Sequence, residues 1–451
     1  MKRERLGSRL GFILLSAGCA IGLGNVYKFP YMVGNNGGGI FVLIYLFFLV
    51  AFGIPIMTME FSMGRAAQKS PVKLYQEIEP KGSKWHIHGI ISMIGNYVLL
   101  MCYTTITGWL IRYFVDTAKG DFVGATTETV AQHFGAVQTD LVQMLIYTGV
   151  VILMAALVCG IGLQNGLEKV TKIMMVALLA IMIVLAIHSM TLEGGQEGIK
   201  FYLMPSLENL KKVGLGNVLV DAMNQSFFTL SLGIGSMAIF GSYLDKNRSL
   251  MGEAVNVGVL DTFVALMAGF IIFPACFAYD VDVTSGMGLL FLTLPNIFNN
   301  IPMGQFWGSM FFVFMSFAAL STVFAVFENT VSCLRDLTGW ERRKTCIING
   351  IAMFVLSLPC IFGCTIWDHI KPMGEGSNIM STEDFLVSNI LLPLGSLIYV
   401  IFCCSKFGWG WDNFVAEANQ GTGIKVQKWM RPYMTYVLPV LVAIVFVIGI
   451  L

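Results

Sequence analysis

The sequence predicts an all-α protein that crosses a membrane many times. Of the 451 residues, 56% are hydrophobic and 12% are charged, whereas a soluble protein is about 45–50% apolar and about 25% charged. So few charged residues cannot cover a water-facing surface, which excludes a soluble enzyme of several domains. The net charge of +1 also excludes a nucleic-acid-binding protein, because there is no basic excess to neutralise phosphates.

Eleven stretches are long and apolar enough to be membrane spans, since a helix needs about 20 mostly apolar residues to cross a bilayer. In chain order they cover residues 9–33, 40–64, 89–115, 141–159, 168–190, 217–243, 253–278, 305–334, 346–365, 385–404 and 432–451. We number them spans 1 to 11. The 279–304 connection is itself apolar, and we expect it to form a re-entrant or interfacial helix.

The basic residues predict the orientation of these spans. Cytoplasmic loops carry the excess of Lys and Arg in membrane proteins. With the N-terminus inside the cell, 21 of the 28 Lys and Arg residues lie in cytoplasmic segments and five in outer loops. We therefore expect a cytoplasmic N-terminus and, with eleven spans, an external C-terminus.

Glycines interrupt two of the spans. Span 1 contains Gly18, Gly22 and Gly24, and span 6 contains Gly233 and Gly235. A broken helix in a membrane leaves backbone groups that protein or a bound ligand must satisfy. Each interruption alone could simply permit close helix packing. Two of them, five spans apart and therefore in opposite orientations, instead favour a secondary transporter built from inverted repeats with its site near the midplane.

This interpretation divides the chain into three parts. We expect residues 1–190 to form the first inverted repeat (spans 1–5) and 191–404 the second (spans 6–10). Residues 405–451 would form a cytoplasmic loop and span 11. Breaks in the first helix of each repeat would then meet at one site.

Polar side chains near the breaks supply candidate ligands. Asn25, Thr229 and Ser231 offer oxygen atoms, and Asp261 is an acid near the middle of the otherwise apolar span 7. A charge in that position is costly unless it is paired, which makes Asp261 a candidate functional residue. A protonated, structural Asp261 is the alternative.

Two motifs resemble a known family. The run Gly18–Pro30, followed by Asn36–Gly39, resembles the first-span signature of the neurotransmitter:sodium symporters, and Phe227–Gly233 resembles their sixth-span signature. The resemblance extends from Arg3 through span 10. It implies the leucine-transporter fold, an inverted five-helix repeat with discontinuous helices 1 and 6. Eleven spans are typical of the bacterial branch, and the pattern is most similar to bacterial transporters of hydrophobic and aromatic amino acids.

The resemblance implies two sodium sites. The first would use Ala20, Asn25, Thr229, Asp261 and the carboxylate of the substrate. The second would use Gly18, Ile21, Ala318, Ser321 and Thr322. Without the resemblance, the hydroxyls of Ser321 and Thr322 would more simply bond back to the preceding helical turn.

The resemblance also implies the substrate site and two gates. The substrate-binding residues would be Ala20, Gly22, Leu23, Gly24, Leu99, Tyr103, Phe228, Thr229, Ser231, Ile234, Thr322 and Val326. The outer gate would consist of the charged pair Lys28 and Asp384 with Tyr103 and Phe228. The inner gate would consist of the pair Arg3 and Asp336 with Ser242, Tyr243, Glu328 and Glu60, where Glu60 is expected to brace the broken span 6.

Four departures from the family pattern matter. Asp261 replaces the usual Asn, and Ala265 lacks the Ser or Glu of other members, so a fixed carboxylate could replace chloride and make transport chloride-independent. Lys28 replaces an Arg, which loosens the outer gate, and Leu6 replaces a Trp of the inner gate. Glu328 replaces a Gln and could be a proton carrier or a structural carboxylate.

The predicted function is sodium-coupled symport of a hydrophobic or aromatic amino acid by alternating access in a bacterial plasma (inner) membrane. A small or aliphatic substrate such as alanine or leucine is the alternative. An ion channel is a second alternative, which the sequence disfavours because a channel would need a filter motif that the sequence lacks. We expect no enzyme activity, two Na⁺ ions and no chloride. The expected partners are a free amino acid and the lipid bilayer, and the sequence leaves a homodimer open.

Overall fold

The computed structural model describes residues 4–281, 283 and 287–450. Across those residues the regular structure is helical, apart from one isolated bridge between Arg248 and Thr422. The long helices correspond to spans 2–5 and 7–11: Gly39–Ala67, His86–Lys119, Leu141–Ile161, Leu163–Met190, Leu250–Ala278, Gly304–Thr338, Arg342–Cys364, Ile379–Cys404 and Met430–Ile450.

Span 1 is discontinuous, as the sequence predicts. It consists of Arg9–Ala20 and Gly24–Asn35, whose axes differ by 54°. The last bond of the first half runs from the Ile21 amide to the Ala17 carbonyl, and the next half begins with bonds to the Gly22 carbonyl. The carbonyls around this break therefore face the interior of the molecule.

Span 6 is discontinuous as well, over a longer stretch. Its halves are Leu215–Thr229 and Ser236–Gly241, and the chain between them adopts positive φ at Ser231, Gly233 and Gly235. Positive φ ends a right-handed helix and suits glycine. At Gly233 a Cβ would also lie 2.1 Å from the Leu392 carbonyl oxygen, so this bend depends on glycine twice.

The count of eleven crossings stays a prediction. In the described part of the chain, nine helices are long and apolar enough to cross a membrane. The two bent halves of span 1, taken together, would form a tenth crossing. The predicted span 6 lies in two shorter helices. The apolar 279–304 connection contains the short helix Leu294–Asn300. The division into repeats at residues 190 and 404 likewise stays a prediction.

The interior of the bundle surrounds the two breaks. Span 8 is the most enclosed long helix, with 83% of its most apolar window buried, against 22% for span 11. It packs against spans 1, 3 and 5. The break in span 1 and the second half of span 6 therefore lie beside this buried helix, where polar atoms must find partners within the protein.

Candidate functional site

A buried carboxylate joins the two breaks to span 7. The Asn25 side-chain amide donates to Asp261 Oδ1 at 2.8 Å and to the Asp261 carbonyl at 3.2 Å. The Thr229 hydroxyl donates to Asp261 Oδ2 at 3.1 Å. All three side chains are fully buried. Three of the residues predicted for the first ion site are thus in direct contact, and Ala20 lines the adjoining small cavity.

A second cluster joins span 8 to the break in span 1. Thr322 Oγ1 lies 3.3 Å from each of the carbonyl oxygens of Gly18, Cys19 and Ile21. Ser321 Oγ lies 3.3 Å from the Ile21 carbonyl and 2.8 Å from the Ala318 carbonyl. The Ala318 contact is the back-bond to the preceding turn, but the other contacts cross to span 1. The five residues predicted for the second site converge, and Cys19 adds a carbonyl that the sequence analysis missed.

A small cavity lies between the two clusters. Its volume is about 20 Å³, room for about one water molecule. The lining residues are Ala20, Gly22, Gly24, Leu99, Tyr103, Phe228, Ser231, Ile234, Thr322 and Leu392. Nine of these ten belong to the predicted substrate site.

Three predicted substrate residues lie outside this lining. Leu23, Thr229 and Val326 are buried. The Leu23 amide donates to the Tyr103 hydroxyl at 2.8 Å, and Thr229 turns to Asp261. Leu392 of span 10 takes a place that sequence reasoning missed. Its place depends on how closely span 10 packs against the break in span 6, since a Cβ at the nearby Gly395 would lie 2.0 Å from the Gly233 carbonyl oxygen.

Side chains from neighbouring spans satisfy the backbone of the breaks. The Gly233 amide donates to Glu60 Oε1 at 2.6 Å, which is the contact expected of a brace. Two further side chains that bond to the backbone of the breaks were not predicted from the sequence. Asn96 donates to the Ile234 carbonyl at 2.7 Å, and Gln225 donates to the Gly24 carbonyl at 2.9 Å. Buried amide side chains on apolar helices were the available signal for both.

Comparisons with known proteins agree with this geometry. Residues 3–130 and 125–451 match the model of the sodium:neurotransmitter symporter family. The chain belongs to the sodium:neurotransmitter symporter family. It is therefore a membrane transporter and not an enzyme, as predicted.

Relatives cover nearly the whole symporter. The uncharacterized sodium-dependent transporter YhdH of Bacillus subtilis is 32% identical, with 100% of this chain and 99% of the relative covered. The uncharacterized sodium-dependent transporter MJ1319 of Methanocaldococcus jannaschii is 32% identical, with 99% and 90% covered. The crystal structure of MhsT in complex with L-phenylalanine superposes with a TM-score of 0.88 at 34% identity, covering 99% of this chain and 100% of that one.

The outer gate of the symporter differs from the expected ion pair. Among the described residues, Lys28 and Asp384 form no direct pair, because Ser388 lies between them. Lys28 Nζ is 3.4 Å from Ser388 Oγ, which is 3.1 Å from Asp384 Oδ1. Lys28 Nζ also lies 3.7 Å from the centre of the Phe228 ring, a distance that suits a cation–π contact. The Lys28 ammonium group therefore contacts both Ser388 and the Phe228 ring.

A larger cavity opens beside this gate, on the predicted external side. Its volume is about 330 Å³, and Lys28, Tyr103, Phe228 and Asp384 contribute to its wall. Leu99, Tyr103 and Phe228 line both the larger cavity and the small cavity, so the two cavities meet at these residues.

The predicted inner gate is only partly described. Arg3 lies outside the described residues. Asp336 Oδ2 accepts a bond of 2.7 Å from the Ser70 amide, and the Ser242 hydroxyl donates to the Ile239 carbonyl at 2.6 Å. The neighbouring Glu4, which the sequence analysis missed, pairs with Arg335 at 2.6 Å and with Arg342 at 3.0 Å.

Glu4 has a pKa set by two opposing causes. Burial raises it, but the positive charge of Arg342 and the bonds from both arginines outweigh burial and hold the Glu4 pKa below its usual 4.5. The ionised form is therefore the one that the protein stabilises. Glu4 joins the N-terminal segment to spans 8 and 9 as a carboxylate.

Glu328 lies at the centre of the same network. It accepts a bond of 2.8 Å from the Tyr243 hydroxyl and one of 3.2 Å from Ser332, and Arg342 forms an ion pair with its second oxygen. Its side chain is fully buried. With a guanidinium and two hydroxyls as partners, Glu328 fits the structural carboxylate of the two alternatives. Arg342, which holds Glu4 and Glu328 together, was not predicted.

Proposed function

We propose that this symporter couples the entry of Na⁺ to the uptake of a free hydrophobic or aromatic amino acid by alternating access across a bacterial plasma (inner) membrane. One observation carries the proposal. Both helix breaks meet at the Asp261 cluster, directly beside a cavity whose wall includes Leu99, Phe228 and Ile234. Such a site offers charge to an ion and apolar contact to a side chain.

The first Na⁺ would bind at the Asp261 cluster. Asn25 now points its amide nitrogen at the carboxylate, and a half-turn of that amide would present its oxygen instead. The Ala20 carbonyl, the Thr229 hydroxyl and the carboxylate of the substrate would complete the shell. Because Asp261 supplies a full negative charge beside the ion, we propose that chloride is not required.

The second Na⁺ would bind at the hydroxyl cluster of span 8. Ser321 and Thr322 each have lone pairs for a cation once their protons turn away. The carbonyls of Gly18, Ile21 and Ala318 already lie within 3.3 Å of these hydroxyls. This ion would tie span 8 to the break in span 1, so its loss would free the two elements to separate.

The polar end of the amino acid would bind at the two breaks. Its carboxylate would accept from the Leu23 and Gly24 amides and the Tyr103 hydroxyl. At present the tyrosine hydroxyl accepts from Leu23 and holds the place of that carboxylate. The ammonium group would meet the Ala20, Phe228 and Thr229 carbonyls and the Ser231 hydroxyl.

Sharing the substrate carboxylate with Na⁺ would couple the two ligands. Each would raise the affinity for the other by the same factor, because binding coupling is reciprocal. The coupling needs no movement of the protein. It requires only that the carboxylate and Asp261 face the same ion.

The size of the small cavity bears on the alternative substrate, a small or aliphatic amino acid. A volume of about 20 Å³ holds about one water molecule, so the wall must move for any amino acid, and it must move least for a small one such as alanine. The apolar lining and the 34% identity to MhsT, which is solved with L-phenylalanine, favour a larger one. Phe228 is only half-buried, so its ring can swing toward the larger cavity and make room, which would also admit leucine.

Uptake into proteoliposomes tests the proposal. Radiolabelled L-phenylalanine should accumulate under an inward Na⁺ gradient and not when K⁺ replaces Na⁺, with protein-free liposomes as the control. In competition with the twenty amino acids, aromatic and large aliphatic ones should displace the label best. Displacement mainly by alanine would select the alternative. Displacement mainly by charged amino acids would overturn both.

A further inference from the structure

One buried carboxyl group beside the outer cavity has no part in the proposed coupling. Glu383 directly precedes the gate residue Asp384 in span 10 and is 6% exposed. Both of its oxygens are shielded from solvent, and among the described residues the partner that they are offered is the thiol of Cys360, a weak donor. Asp261 and Glu60, by contrast, each have a donor. Glu383 therefore lacks the amide donor that each of those two buried carboxyl groups has.

The groups around Glu383 are thiols. Cys360 and Cys364 of span 9 and Cys102 of span 3 surround it, and the last two also line the outer cavity. Thiols are weak donors and carry no positive charge. The charged side chains that line the outer cavity are Asp384 and Lys28, and Lys28 faces Phe228 and Ser388.

An ionised carboxylate in this position would be out of water with only a weak thiol donor and no positively charged partner, which is a costly arrangement in a protein. A carboxylic acid is neutral and avoids that cost. We propose that Glu383 is a proton-binding site directly behind the wall of the outer cavity, which its neighbours Asp384, Cys102 and Cys364 line, and that the proton is bound in the conformation seen here. The proton comes from the external solution, forms one O–H bond and returns when span 10 moves and water reaches the carboxylate.

A metal or sodium ion fits this position less well. Among the described residues, no group of three His, Cys, Asp or Glu side chains could hold a metal ion. Na⁺ prefers several oxygen ligands, as hard cations do, and Glu383 supplies the side-chain oxygens amid sulfur. The proton is the cation that needs a single oxygen.

Carbodiimide labelling tests protonation without any reference to transport. An apolar carbodiimide reacts with protonated, buried carboxyls, and peptide mapping of the intact symporter in liposomes locates the adduct. Glu383 should be labelled at a rate that falls as pH rises, while the exposed Glu375 should stay unlabelled. Protection by Na⁺ at constant pH would assign the site to sodium and overturn the proposal.

Infrared difference spectra test the protonation of Glu383 even if the carbodiimide cannot reach it. Wild type minus Glu383→Gln should show one protonated-carboxyl stretch that disappears at alkaline pH. Absence of that band at every pH would also overturn the proposal.

The effect on binding, which rests on the proposed function, is tested with the same variant. The apparent affinity for L-phenylalanine should fall as external pH rises, by at most about tenfold per pH unit because one proton is linked. Glu383→Gln should keep the low-pH affinity throughout, and Glu375→Gln should keep the wild-type profile. A wild-type profile in Glu383→Gln would overturn the link. Labelling without any phenylalanine binding would instead reject the proposed substrate and leave the proton site.

Discussion

At the scale of single residues, Asp261 carries the largest electrostatic consequence. When ionised, it is a full charge enclosed among apolar helices, with bonds from Asn25 and Thr229. Coulomb interactions are many times stronger in such surroundings than in water. One oxygen-to-nitrogen exchange at this position therefore changes how strongly the site attracts a cation.

Asp261→Asn should weaken Na⁺ binding by at least tenfold and make the remaining uptake sensitive to chloride, since a mobile anion can replace the lost charge. Uptake in chloride and in gluconate medium measures this. Asp280→Asn is the matched control, because Asp280 is exposed just past the same helix. Wild-type flux that collapses in gluconate would contradict the proposed chloride independence.

Gly22 sets the clearance of the small cavity. A Cβ there would lie 2.2 Å from the Tyr103 hydroxyl and 2.6 Å from Thr322 Oγ1. Gly22→Ala should therefore weaken amino-acid binding by about tenfold or more while the protein remains monodisperse. Gly135→Ala has open space around its new methyl group and should bind normally. Equal affinities in an equilibrium binding assay would show that the cavity is elsewhere.

At the scale of elements, the broken span 6 depends on neighbours for its hydrogen bonds. Its bend leaves the Gly233 amide and the Ile234 carbonyl without partners in their own helix. The amide donates to Glu60 of span 2 at 2.6 Å, and the carbonyl accepts from Asn96 of span 3. A buried donor that loses its acceptor costs about 1–3 kcal/mol. The bend is thus held jointly by span 6 and by the two helices beside it.

Glu60→Ala should lower the free energy of unfolding by about 1–3 kcal/mol, because it leaves the Gly233 amide unpaired. Glu60→Gln keeps an acceptor oxygen and should cost less. Unfolding midpoints in detergent, measured for both variants, compare them. If the two variants melt together at the wild-type midpoint, Glu60 does not brace the break.

At the scale of the whole molecule, the predicted cytoplasmic side is closed by a network rather than by one pair. Glu4 and Glu328 share Arg342, and Glu4 also pairs with Arg335. Arg5 pairs with Asp245 at 2.6 Å. An exposed pair such as Arg5–Asp245 contributes only about 0–1 kcal/mol, whereas the buried Glu328–Arg342 pair is costly to break. The exposed pairs are therefore the part of this closure that can open without a large barrier.

Glu4→Gln should open this side and speed maleimide labelling of the buried Cys159 and Cys333 at neutral pH. Glu341→Gln, an exposed neighbour of Arg342, is the control. Unchanged labelling rates would place the closure elsewhere.

The same contact predicts a pH dependence. Because the pKa of Glu4 is lowered in the folded protein, its stabilisation is present above its usual 4.5 and is lost as pH falls through the lowered value. Unfolding midpoints measured from pH 7 downward should therefore fall further in wild type than in Glu4→Gln. Parallel curves would contradict this role of Glu4.

The sequence predicted the framework of the site because its signals are local. Composition gave the membrane class, apolar runs placed the helices within a few residues, and glycines marked both breaks. Family motifs named Asn25, Thr229, Asp261, Ser321 and Thr322, which the structure brings into two clusters. Contacts between distant segments carried no such signal, which is why Leu392, Glu4 and Arg342 were missed.

The sequence by itself determined an all-helical membrane symporter with two interrupted helices, since hydrophobicity and glycine act within a single segment. Only the tertiary structure decided which polar groups meet. It placed Ser388 between Lys28 and Asp384, joined Glu328 to Arg342 and left Glu383 among thiols. The physical reason is that a buried charge is stabilised or strained by neighbours from other helices, and their distances are fixed only when the bundle packs.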